Sequence, residues 1–90
     1  MKGAIWKFPL EVTDDASVMM PIGAKILTVQ VQNGTPCLWA HVNPKANQRL
    51  RRLRIHWTGH ECIADGYIGS FQFMHGSLVF HVFDDGEANA

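Results

Sequence analysis

The stretch KILTVQVQNGTPCLWAHV, Lys25 to Val42, decides the fold. Leu27, Val29 and Val31 alternate with Thr28, Gln30 and Gln32, and side chains that alternate in this way belong to a half-buried β-strand. Asn33-Gly34 follows at once, a pair suited to the positive φ angles of a tight hairpin turn. Cys37 to Val42 then resumes an apolar pattern, with Leu38, Ala40 and Val42 opposite Cys37, Trp39 and His41. Lys25–Val42 therefore reads as a β-hairpin. Thr35-Pro36 leaves room for a connection longer than two residues.

The same period of two extends outward in both directions. Upstream, Ile5–Leu10 carries Trp6, Phe8 and Leu10 on one face, with Pro9 marking an edge. Thr13–Ser17 reads as a polar turn, and Met20-Pro21-Ile22-Gly23 punctuates the chain before the hairpin. Downstream, Asn43–Gln48 is a loop and Leu50–Thr58 a strand. Its Leu53, Ile55 and Trp57 point inward, while Arg52, Arg54, His56 and Thr58 point outward. Gly59–Gly66 is a loop, and Tyr67–Phe73 a strand with Tyr67, Phe71 and Phe73 on one face. A turn at Met74–Ser77 leads to a last strand, Leu78–Phe83, apolar on both faces and so buried on both or set at an oligomer contact. Asp84–Ala90 reads as a frayed acidic tail. The expectation is an all-β domain spanning residues 1–90, a small antiparallel sandwich or partly closed barrel of six to seven short strands.

Composition narrows the function classes. The chain has 90 residues, 47% hydrophobic and only 18% charged, which argues against disorder and favours self-association through exposed apolar surface. Eight basic residues balance eight acidic ones, so a coat for long nucleic acid is not expected. The basic residues nevertheless concentrate at Lys45, Arg49, Arg51, Arg52 and Arg54, a stretch able to hold a small anion. No apolar run reaches the roughly 18 residues of a membrane helix. Met1–Pro9 lacks the apolar core of a signal peptide, so the expected location is the cytoplasm, with Cys37 and Cys62 as thiols.

Several segments taken together carry a resemblance. They are Ile5-Trp6-Lys7-Phe8-Pro9-Leu10, Pro36-Cys37-Leu38-Trp39-Ala40, Thr58-Gly59-His60 and Val79-Phe80-His81-Val82-Phe83. This combination resembles a family of short, uncharacterised proteins encoded by phages, prophages and their hosts. The resemblance implies a phage-type accessory protein and carries no assigned activity. By analogy of size and architecture, small β-rich phage oligomers that sequester nucleotide signals offer a concrete form for such a role.

The candidate ligand-binding residues follow from the alternation. Arg52, Arg54, His56 and Thr58 share one strand face, with His60 just beyond, at steps of about 6.5–7 Å. Arginine forks suit phosphate, and His and Thr add hydrogen bonds to a sugar or base. Trp39 and Tyr67 are the rings on which a base would stack. The plain alternative is a solvated sheet face with buried aromatics. The five histidines and two cysteines lack zinc-site spacing, so no metal and no cofactor is expected. The leading reading is a non-enzymatic, homo-oligomeric binding protein for a small anionic, nucleotide-like ligand. Second comes a protein–protein interaction module acting on a host protein or in the phage particle. Third is a hydrolase built on Cys37 or Cys62 with a histidine.

Overall fold

A computed structural model describes residues 2–88, and every strand pairing in it is antiparallel. Seven strands form two sheets: β1 (Ala4–Pro9), β2 (Asp15–Pro21), β3 (Lys25–Gln32), β4 (Thr35–Val42), β5 (Gln48–Trp57), β6 (Tyr67–Phe73) and β7 (Leu78–Glu87). The first sheet has the order β1-β4-β3 and the second β2-β5-β7-β6. They face each other as a small all-β sandwich, not a closed barrel. Among the described residues there is no helix, hence none long and apolar enough to cross a membrane.

The core sits where the two alternations meet. Leu38, Ala40 and Val42 of β4 are fully buried, and Leu53 and Ile55 of β5, Phe71 of β6, and Phe80 and Val82 of β7 oppose them. The hairpin turn has Asn33 at φ 51° and Gly34 at φ 80°, and Gln32 pairs directly with Thr35. The connection is therefore two residues, and Thr35-Pro36 belongs to β4.

Thr13–Ser17 is not simply a turn. Asp15 opens a seven-residue edge strand in which buried Ala16 and Met20 alternate with exposed Ser17 and Met19. Asp14 just before it and Asp15 at its start conceal this period. Asp15 lies opposite Arg54, where opposite charges are favourable neighbours.

Three register shifts re-aim side chains, as an extra residue in one strand does. The first throws Leu27 outward, 44% exposed, and gives its inward place to Ile26. The second, at Ile68, separates Tyr67 from Phe71 and Phe73: the latter two face the core, whereas Tyr67 pairs with Phe83 on the outer face. In the third, Leu53 pairs with Asp84 and Arg52 with Gly86, leaving Asp85 as the extra residue.

The acidic segment is correspondingly not a frayed tail, at least through Glu87. β7 continues to Glu87, and only residues 89–90 of that stretch lie outside the described residues. Arg51 Nη2 and Nε donate to the two Asp84 carboxylate oxygens at 2.6 and 2.9 Å. Arg51 Nη1 donates to the Ala24 carbonyl at 2.9 Å, and the Glu87 carboxylate accepts from Gly23 N–H. Trp57 also departs from expectation. It lies on the inner face at the strand end but remains 46% exposed, because the sandwich opens there.

The hydrogen bonds from Arg51 hold the Asp84 carboxyl below its usual range, against the opposing effect of burial. A carboxyl depressed by folding stabilises the protein above its unfolded-state pKa and loses that contribution as pH falls through the folded value. Asp84→Asn is accordingly expected to cost about 2 kcal/mol at neutral pH. The variant should also show a shallower loss of stability between pH 5 and pH 2, about the window in which carboxylates take up protons. Urea denaturation across that range measures both effects.

Candidate functional site

The outer face of the four-stranded sheet brings together six of the seven candidate residues. Arg52, Arg54 and His56 project from β5, with Thr58 and His60 just past its end. Tyr67 joins them because the Ile68 bulge turns it outward. Trp39 does not join them. It pairs with Lys7 and Thr28 on the outer face of the other sheet, opposite in direction to the buried Leu38 and Ala40.

This face divides into two halves of different chemistry. In the first, Arg54 meets a carboxylate. Arg54 Nη1 and Nη2 donate to the Ile63 and Asp65 carbonyls at 3.0 and 3.1 Å, fastening the 59–66 loop over the sheet. Its Nε lies 3.4 Å from Asp85 Oδ1, and the guanidinium sits 5.7 Å from the Phe83 ring centroid. Phe83 is thereby buried on the outer side, flanked also by His56 and Tyr67. That accounts for the second apolar face of β7 within a single chain. A shallow cleft lined by Arg54, Asp65, Asp84 and Asp85 carries more negative than positive groups, which disfavours phosphate there. Arg52, by contrast, makes no side-chain hydrogen bond or ion pair among the described residues.

The second half is neutral, polar and aromatic. Tyr67 Oη lies 2.7 Å from Ser70 Oγ, which lies 2.7 Å from His81 Nδ1, and His81 Nε2 lies 2.8 Å from Thr58 Oγ1. Thr58 Oγ1 in turn reaches the Val79 carbonyl at 3.4 Å. That carbonyl can only accept, and with Thr58 donating to it and one proton on the imidazole, a single order of donors satisfies the whole row. In that order His81 Nε2–H donates to Thr58, Ser70 to His81 Nδ1, and Tyr67 to Ser70. The chain fixes the rotamers of four side chains at an open surface. His60 stands beside it, its ring centroid 5.7 Å from that of Trp57 and 6.4 Å from that of His56. His56 Nε2 is enclosed and has no hydrogen-bond partner among the described residues.

Ser70 and His81 escape a reading of β5 alone. They lie on β6 and β7, and only the register Ser70↔His81↔His56 brings them alongside. The outward alternation of β7, with His81 between Val79 and Phe83, is the available sequence signal. Neither cysteine has a histidine partner among the described residues. Cys37 is buried, with its Sγ 3.5 Å from the Thr35 carbonyl, and Cys62 is exposed in the loop. Ser70 does face His81 as a base would require, yet a hydroxyl, not a carboxylate, occupies the far nitrogen of the imidazole.

Arg54 holds the loop through two carbonyls at once, which a lysine ammonium cannot reproduce with a planar fork. Both Arg54→Ala and Arg54→Lys should therefore raise the rate of limited proteolysis within residues 59–66, by about tenfold for the alanine variant. Unchanged cleavage in Arg54→Ala would show that the loop is held by other contacts.

No curated protein and no solved structure gives a significant match to the chain. A family model does match, over residues 1–90, and its description assigns no activity that could be set against the geometry. The chain belongs to that family, the domain of unknown function DUF7352.

Proposed function

We propose that this protein is a non-enzymatic, phage-type binding protein of the host cytoplasm that captures a small nucleotide-like ligand on the outer face of its four-stranded sheet. The observation carrying this reading is the neutral half of that face. There Tyr67, 59% exposed, stands beside an ordered row of hydroxyl and imidazole groups. A base stacks on the Tyr67 ring, while ribose and phosphate oxygens meet Thr58, Ser70 and His60. Arg52 and Arg54 lie towards the compensated end, so they add long-range attraction more than direct phosphate contact. Sequestration of a host-defence signal is the biological form this binding takes.

A second reading has its own observation. Met19 and Leu50 are direct cross-strand partners on the same outer face, 53% and 38% exposed. Such a pair favours contact with a host protein or with another copy of this chain, and a homo-oligomer fits both readings.

Native mass spectrometry of protein isolated from phage-infected cells separates the two. Capture of a nucleotide predicts an added mass of a few hundred daltons. Tyr67→Ala should weaken the purified ligand about tenfold, within the range for a lost base–aromatic stack, whereas Trp39→Ala should leave it unchanged. A bare chain recovered with one stoichiometric host protein would favour the second reading and overturn the first.

A further inference from the structure

We infer that the cleft at the open end of the core is a binding site for a small organic cation, distinct from the outer face proposed above. The cleft has a volume of about 410 Å³ and is lined by Val12, Thr13, Asp14, Ile55, Trp57 and Phe80. That volume lies within the range of roughly 300–1,000 Å³ typical of small-molecule sites.

Its lining is chemically specific. Ile55 and Phe80 are buried core residues and form the floor. Trp57 stands over them with a ring-centroid distance of 5.4 Å to Phe80, yet keeps nearly half of its surface open. Asp14 is the only charged residue of the lining. Its backbone carbonyl accepts from Ile55 N–H at 3.2 Å, which anchors it to the sheet. The Asp14 carboxylate itself has no hydrogen-bond or ion-pair partner among the described residues. An indole face is negative at its centre, and a nearby carboxylate adds to that field, so the pair attracts a cation and repels phosphate. His60, beside Trp57, is the neighbouring titratable group. A compact, weakly hydrated cation with apolar surface, such as an alkylated ammonium, satisfies floor, wall and carboxylate together. A metal ion would leave the apolar floor unused.

The test is a titration of ¹⁵N-labelled protein, following the Trp57 indole N–H resonance. Tetramethylammonium chloride is the probe, tert-butanol its neutral counterpart of similar shape, and sodium chloride the ionic-strength control. A saturable shift is expected with tetramethylammonium and with neither control. Asp14→Asn should weaken that binding about fivefold or more, and Trp57→Leu should abolish it. Equal binding of tert-butanol, or unaltered affinity in Asp14→Asn, would overturn the cation assignment. If Trp57→Leu does not fold, Asp14→Asn and the neutral probe decide the matter. Loss of cation binding leaves nucleotide capture on the outer face unaffected, and loss of nucleotide binding in Tyr67→Ala leaves this cleft intact, so the two proposals fail separately.

Discussion

The pairing of a basic strand with an acidic one is the constraint on which the structure depends. β5 carries arginines on both faces, and the end of β7 supplies a counter-charge to one arginine on each face. Asp84 meets Arg51 on the inner side, and Asp85 meets Arg54 on the outer side. The β-bulge makes this possible, because one extra residue lets consecutive aspartates serve opposite faces. A partly buried arginine without such a partner would be strongly destabilising. With it, Arg51 ties β5 to β7 and to the turn before β3, while Arg54 is free to fasten the loop over Phe83.

The proposed function rests on what the pairing leaves uncommitted. Where arginine and aspartate compensate, the outer face is engaged in holding the fold. Beyond Arg54 the same face becomes neutral, and its polar groups are ordered by one another: Tyr67, Ser70, His81 and Thr58 form a single hydrogen-bond chain. Pre-ordered donors and an open ring bind a ligand at a smaller entropic cost than mobile side chains do. At the strand end the inner face opens as well, leaving Trp57 between the core and solvent.

Much of this architecture is legible in the sequence because alternation is a strong signal. The hairpin, the inward Leu53 and Ile55 and the outward Arg52, Arg54 and His56 all come from period two. What sequence reading loses has specific causes. Strand β2 is concealed by Asp14-Asp15, and of these only Asp15 lies opposite Arg54, a neighbour the sequence does not announce. Leu27 and Tyr67 change faces at bulges, which alternation cannot anticipate. Asp84–Glu87 resembles solvated tail until its partners on β5 are known. The site is legible by half for the same reason. Residues on one strand declare their common face, but Ser70 and His81 arrive through strand order, and Trp39 belongs to a different sheet altogether.

The most direct measurement of the central claim is an amide chemical-shift map of the ¹⁵N-labelled protein titrated with adenosine monophosphate. The account predicts saturable changes clustered at His56, Thr58, His60, Tyr67, Ser70 and His81, with the Trp39 face silent. Changes confined to Trp39 and its neighbours, or to the Arg52 and Arg54 end, would contradict it, as would a spectrum that does not respond.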